Sequence, residues 1–304
     1  MNRRTFVGGV AFSAAVVPGS RAKEAGIPTR IFGKTGEKLT IVGQAAGRFP
    51  LIDFEEAQRV TLRAYELGIN YFDNARAYWD GRSEEVYGAV LPPFRKEVFL
   101  TTKTVKRSRA EAEADLHASL KALKTDYIDL WQVHSVSEMD DVDRIFASGG
   151  AIEAFEAAKK AGKCRFIGFT GHHDPHVHVE MMKRYKKFDA VLMPLNPADP
   201  SYLSFEQIAL PMAVEQGLGI QAMKTTAVSQ LLQEFSVEQC LRYALSLPVH
   251  CATLGATTLG QIEDDVRIAR RFKPLPETDL IAYRQRAARL AGPRTENWKR
   301  NIAA

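Results

Sequence analysis

Four side chains in this sequence have types and spacing suited to chemistry: Asp73, Tyr78, Lys103 and His134. Asp73 follows the hydrophobic run Ile69-Asn70-Tyr71-Phe72, Lys103 closes Val98 to Thr102, and His134 closes Ile128 to Val133; Tyr78 comes a few residues after Asp73. Taken singly, each could be a satisfied polar group or a helix cap. Their successive separations are about 30 residues, the length of one strand–helix unit, so the three strand ends aim ionisable groups at one rim. Buried Lys and Asp are tolerated mainly when paired. An Asp–Lys pair beside a tyrosine suits proton transfer: a phenol titrates near ~10, and a neighbouring ammonium that stabilises the phenolate is expected to lower that value and make a better acid. Asp73 would hold Lys103 charged, and His134 would donate to a substrate oxygen and orient it.

The elements that must position these groups alternate along the chain. Two short runs, Arg30-Ile31-Phe32 and Lys38 to Val42, flank Gly33-Lys34-Thr35-Gly36-Glu37 and read as a β-hairpin. Strand candidates follow at INYF, VFLTTK, IDLWQVH, CRFIGFTG, AVLMPL, GIQAMKT and CATLGA, which with the Lys38–Val42 run makes eight. Helix-period segments lie between them, such as DFEEAQRVTLRAYELG, AIEAFEAAKKAG and SVEQCLRYALSL. Ser236 with Gln239 predicts a capping box, and Asp174-Pro175 an N-cap followed by proline. Amphipathic helices around nearly all-apolar strands argue for a covered parallel sheet. The fold class is α/β, a (β/α)8 TIM barrel spanning 29–290, with a doubly wound open sheet as the alternative. PETDLIAYRQRAARLAG predicts an extra C-terminal helix, and the tail 291–304 carries Trp298 toward the barrel mouth.

YFDNARAYWDGRSEEVYG, with Lys103 in TTKT and His134 in LWQVH, resembles the aldo-keto reductase family from about Ile31 to Arg271. The resemblance implies a tetrad of Asp73, Tyr78, Lys103 and His134, with Tyr78 as general acid in hydride transfer from NADP or NAD to a small-molecule carbonyl substrate. It also implies cofactor positions: Thr170 for the nicotinamide carboxamide, Asn196, Met223 in place of a stacking aromatic, Lys224 on the pyrophosphate, and Gly255, Thr257, Gln261 and Asp265 for the adenosine end. Gly171 and Leu192 replace family carboxamide ligands, and no arginine stands at Gln261, which removes a charge-assisted partner of a 2′-phosphate worth about 1.5–3 kcal/mol. Trp79 is a candidate wall of the substrate pocket. The resemblance equally permits a nucleotide-binding sensor or partner subunit with little turnover.

Residues 1–22 carry a basic start, an apolar stretch from Phe6 to Val17 and a cleavage-like Pro18 to Ala22, the layout of a secretory leader. Arg3-Arg4-Thr5-Phe6-Val7 resembles the twin-arginine motif, which implies that export machinery as a partner and a periplasmic or exported protein, with the cytoplasm as the alternative. The apolar part is too short for a stable membrane anchor. Its loss takes the net charge from +5 to +2 (5 − 3, for Arg3, Arg4 and Arg21), so charge gives no reason to expect nucleic acid. Cys164, Cys240 and Cys251 sit in apolar runs and read as free buried thiols. GHHDPHVH invites a metal reading, but Asp174-Pro175 starts a helix in its middle and splits the histidines, so no metal site is expected.

Overall fold

The computed structural model describes residues 26–300; the expected leader lies outside the described residues. β1 (Thr29–Ile31) and β2 (Lys38–Thr40) form the antiparallel hairpin. Eight further strands follow: β3 (Val42–Ala45), β4 (Tyr71–Asp73), β5 (Phe99–Thr104), β6 (Ile128–Val133), β7 (Cys164–Thr170), β8 (Ala190–Pro194), β9 (Gly219–Met223) and β10 (Cys251–Leu254). They are all parallel and closed, with β10 pairing back onto β3, which excludes the open sheet. The expected run Lys38 to Val42 is divided between hairpin and barrel. The cause is local: Thr40 N donates to Asn70 Oδ1 at 2.8 Å and Thr40 Oγ1 to the Val42 carbonyl at 2.8 Å, so side-chain bonds turn the chain at Ile41 and barrel pairing starts afresh at Val42.

Helices cover the outside: α1 (Phe54–Glu66), α2 (Arg82–Val90), α3 (Arg109–Leu123), α4 (Met139–Phe146), α5 (Ala151–Lys160), α6 (Pro175–Arg184), α7 (Phe205–Ile208), α8 (Leu210–Glu215), α9 (Val237–Ser246), α10 (Leu259–Arg270) and α11 (Glu277–Ala288). The Ser236–Gln239 capping box and the Asp174 cap with Pro175 behind it are both formed. FEQIALPMAVEQG is two helices, because Pro211 lacks the N–H that would continue one. The short α4, in the loop after β6, was not expected from sequence; it buries only Val142 and Ile145.

The barrel floor is apolar and the mouth is polar. Phe32 of the hairpin is buried with Leu39, Tyr71, Phe99, Leu130 and Cys251. Gly219 makes room for it, since a Cβ there would stand 2.6 Å from the Phe32 ring. On β6, Trp131 stacks on Phe155 of α5 at 3.8 Å, so the alternation of a strand turns Gln132 and His134 to the barrel axis. The same alternation brings Asp73 and Lys103 to the mouth. Cys164, Cys240 and Cys251 are buried and free. Among the described residues no helix is long and apolar enough to cross a membrane.

Candidate active site

Asp73, Tyr78, Lys103 and His134 meet at the carboxyl end of the barrel. Lys103 Nζ donates to Asp73 Oδ2 at 2.7 Å and to the Asn74 carbonyl at 2.6 Å, while Thr101 Oγ1 donates to Asp73 Oδ1 at 2.9 Å. Lys103 is fully buried and Asp73 nearly so. An ammonium in that position is stable only because the carboxylate and carbonyl replace its water. Its Nζ lies 5.1 Å from the centroid of the Tyr78 ring, and that ring meets the His134 ring edge-on at 5.4 Å and 83°.

The charges settle in an order that departs from expectation at one residue. Burial alone would lower Lys103, but Asp73 first and Tyr78 next outweigh it, and the ammonium is held above its ordinary value. Tyr78 is only partly covered at the surface, yet desolvation is its largest influence and raises its pKa; Lys103 pulls the other way without prevailing. The expected net lowering is therefore wrong for the resting site. Loss of water costs the phenolate more than one ammonium, already shared with Asp73, returns. His134 is pushed well below the usual histidine range by burial and then by Lys103, His172, Arg107 and Lys224, so its ring is neutral. A neutral imidazole donates through one nitrogen only.

Two partly buried ion pairs set the loops. Trp79 and Asp80 both adopt φ 52° and Gly81 φ 89°, a tight left-handed turn directly after Tyr78. A Cβ on Gly81 would stand 2.4 Å from the Arg76 guanidinium, which lies against it and pairs with the buried Glu84 at 2.7 Å; Glu84 also accepts from Thr102 at 2.6 Å. On the other side, Arg107 holds the His134 and Ser135 carbonyls at 3.0 Å each and pairs with Asp141 at 2.8 Å. Asp141 in turn accepts from Ser137 N at 3.0 Å, which closes the loop around Ser135, itself at φ 53°.

The residues singled out for a cofactor are spread around the same rim. Thr170 is buried at the end of β7, and Met223, half-buried, ends β9. Lys224 follows at φ 55° with its Nζ 5.1 Å from the Trp298 ring centroid. Gly255 is exposed just past β10, and α10 begins close behind it at Leu259. Gln261 accepts from Thr257 N at 2.7 Å and donates its own N–H to the Thr258 cap at 3.2 Å. Asp265 is raised to about 7 by burial and by Asp264. Asn196 is fully buried, its oxygen accepting from Ala198 and Asp199 and its nitrogen donating to Glu296 at 3.2 Å. Trp79 packs against Phe54, with the Arg82 guanidinium 4.5 Å above its ring. An open glycine, a hydroxyl and the positive end of α10 suit a dinucleotide's amide and phosphate groups.

Several residues of the mouth were not anticipated. Arg48 lies against Gly255, where a Cβ would meet its Cγ at 2.6 Å, and neighbouring Gly47 faces the Tyr78 hydroxyl. Misplacing the end of the first barrel strand hid this loop, whose signal was a Gly-Arg pair two residues beyond Ala45. Lys299 is the other surprise: fully buried, it pairs with Asp199 at 2.7 Å and Glu296 at 2.8 Å and fastens the C-terminal segment beside the mouth. The histidines separate as the Asp174 cap requires. His178 is buried between Phe169 and Phe205, His176 pairs with Asp174, and His172 lies 3.4 Å from Ser135. Among the described residues no group of three or more His, Cys, Asp or Glu is placed to hold a metal ion.

A model of the aldo/keto reductase family matches residues 43–239. The chain is 30% identical over 290 residues to L-galactose dehydrogenase of Arabidopsis thaliana, covering 82% of this chain and 90% of that one. It is 37% identical over 133 residues to the uncharacterized oxidoreductase YqkF of Bacillus subtilis, a match that spans 40% of this chain and 41% of that protein. The holo form of aldo-keto reductase AKR11C1 from Bacillus halodurans superposes with a TM-score of 0.73 at 25% identity, covering 87% and 96% of the two chains. The chain belongs to the aldo/keto reductase family. It is an NAD(P)-dependent oxidoreductase with that family's closed barrel.

Proposed function

We propose that the protein reduces an aldehyde or ketone to an alcohol, with Tyr78 as the proton donor. The observation that carries this reading is the buried Lys103, bonded to Asp73 at 2.7 Å and lying 5.1 Å from the Tyr78 ring. Thr170, Gly255 and the N-terminal end of α10 would hold a reduced nicotinamide nucleotide at the mouth, and that group would supply the hydride for the carbonyl carbon. Tyr78 Oη gives its proton to the carbonyl oxygen, and the phenolate left behind faces the Lys103 ammonium. Lys103 thus matters more after proton transfer than before it, because the charge it stabilises exists only then. His134, neutral, donates a second hydrogen bond to the same oxygen and fixes its direction. The basic and apolar leader supports export of the folded protein, in which case the nucleotide enters the barrel before transport.

Consumption of reduced nucleotide that depends on added aldehyde, followed by nicotinamide absorbance across a broad panel of aldehydes and ketones with both nucleotides, tests the reading. Turnover of at least one carbonyl compound is expected. Saturable nucleotide binding with no carbonyl-dependent rate anywhere in the panel would favour a sensor or partner subunit.

A further inference from the structure

A cavity of about 400 Å³ lies on the floor of the barrel, between the hairpin and the loops that lead into β9 and β10. Those loops enter the amino ends of their strands, so the cavity is at the opposite end of the barrel from Tyr78. Val214, Leu218, Ile220, Leu245 and Leu247 give it an apolar wall. Leu218, Ile220 and Leu245 are each 1% exposed, which means that the wall belongs to the core. The volume falls at the lower end of the range of small-molecule pockets, ~300–1,000 Å³. Three side chains with polar groups also line it: Arg30, Ser246 and His250. Ser246 is occupied, since its Oγ donates to the Arg242 carbonyl at 2.7 Å and accepts from Leu275 N at 2.8 Å.

Arg30, on β1, is half-buried and held in one orientation. Its Nη2 donates to the Leu245 carbonyl at 2.8 Å, its Nη1 to the Val249 carbonyl, and the guanidinium lies 5.4 Å from the Phe272 ring centroid. Two of its five N–H donors are thereby used and three remain. Among the described residues Arg30 forms no ion pair with a carboxylate, whereas Arg95 and Arg165, on the same floor, both pair with Asp129, and Arg165 with Glu37 as well. His250 Nδ1 accepts from Ile220 N at 2.9 Å, and burial lowers the ring's pKa, so the ring is neutral and carries its proton on Nε2. A fixed guanidinium with donors to spare beside a hydrocarbon wall suits a molecule with a planar two-oxygen head and an apolar body. A phosphate would bring a second charge, and no second cation lines the cavity. We propose that this cavity binds a small aliphatic carboxylate, its head on Arg30 beside His250 and its chain against Leu218, Ile220 and Leu245. Phe32, Tyr71, Phe99 and Leu130 fill the barrel between this site and the mouth, and the proposal is independent of the carbonyl-reductase reading.

The test is calorimetric titration of the protein, saturated with reduced nucleotide, with octanoate and with 1-octanol, as wild type, Arg30→Gln and Val214→Trp. No turnover is needed, so the outcome stands apart from the catalytic reading. Octanoate should bind wild type at one site per chain, and at least about 10-fold more tightly than octanol, as a charge-assisted contact requires. Arg30→Gln should weaken octanoate about 10- to 100-fold and leave octanol nearly unchanged. Val214 stands 45% exposed on the cavity wall, so the indole can enter the cavity without opening the core, and Val214→Trp should weaken both ligands while the Arg30 bonds stay whole. Absence of saturable octanoate binding in wild type, or binding indifferent to both variants, would overturn the proposal. So would a loss in Arg30→Gln with Val214→Trp unchanged, which would assign the effect to a loosened hairpin. Displacement of octanoate by butyraldehyde would place the ligand at the mouth and overturn it as well.

Discussion

Lys103 and Asp73, on adjacent parallel strands of the barrel, are joined by a 2.7 Å bond inside a wall where neither side chain meets solvent to any extent. Neither residue is stable there alone. Asp73→Asn leaves an ammonium with only the Asn74 carbonyl and a neutral amide, which should cost about 3–5 kcal/mol as breaking a buried pair does. Urea unfolding at neutral pH measures it, and a loss below about 1 kcal/mol would mean that water reaches the pair.

The resting pKa directions fix the sign of the pH dependence. Tyr78 is raised above its ordinary value, so the donor keeps its proton through neutral pH; His134 is lowered, so it stays neutral down through its usual titration range. At saturating nucleotide and substrate, kcat for reduction should stay level from roughly pH 6 to roughly pH 9 and fall only as the phenol ionises. An acid limb near the ordinary histidine value would show that His134 must change charge.

Arg107 is expected to act through position. It touches the His134 and Ser135 carbonyls and Asp141, and no atom that reacts. Arg107→Met should lower kcat about 10-fold with a smaller effect on nucleotide affinity, and cost roughly 1–3 kcal/mol of stability as the loop loses charge-assisted bonds. Should nucleotide affinity fall while kcat holds, Arg107 orders the cofactor and not the imidazole.

The C-terminal segment depends on Lys299. Lys299→Met leaves Asp199 and Glu296 buried without a cation, a loss of about 3–5 kcal/mol at pH 7. Glu296 is already raised, by burial first and by Asp199, against the pull of Lys299. A carboxyl raised in the folded state binds its proton more tightly there, so its contribution is present below the unfolded value and fades as pH rises through the folded one. The variant's deficit should accordingly shrink toward pH 4, as thermal melting at both pH values would show. An equal deficit at both would assign the loss to packing of the lysine stem.

What the sequence disclosed was what depends on local order. Strand ends about one strand–helix unit apart located Asp73, Lys103 and His134, because parallel strands in a barrel repeat at that interval. Caps such as Ser236 and Asp174 were legible because they act within a turn. Arg48, Arg107 and Lys299 were not, since each is defined by partners brought near only by closure: Arg48 by Gly255, Lys299 by Asp199, Arg107 by Asp141. The direction of the Tyr78 shift was missed for a related reason. A partner's charge can be inferred from sequence, whereas the water excluded around it belongs to the folded mouth.

The most direct test of the account is the rate of carbonyl reduction in Tyr78→Phe, with the binding of reduced nucleotide measured by tryptophan fluorescence on the same preparation. Removing one hydroxyl should lower kcat about 10²- to 10⁴-fold while the nucleotide dissociation constant stays within about twofold. A rate within about threefold of wild type, with nucleotide bound as well as before, would mean that some other group delivers the proton.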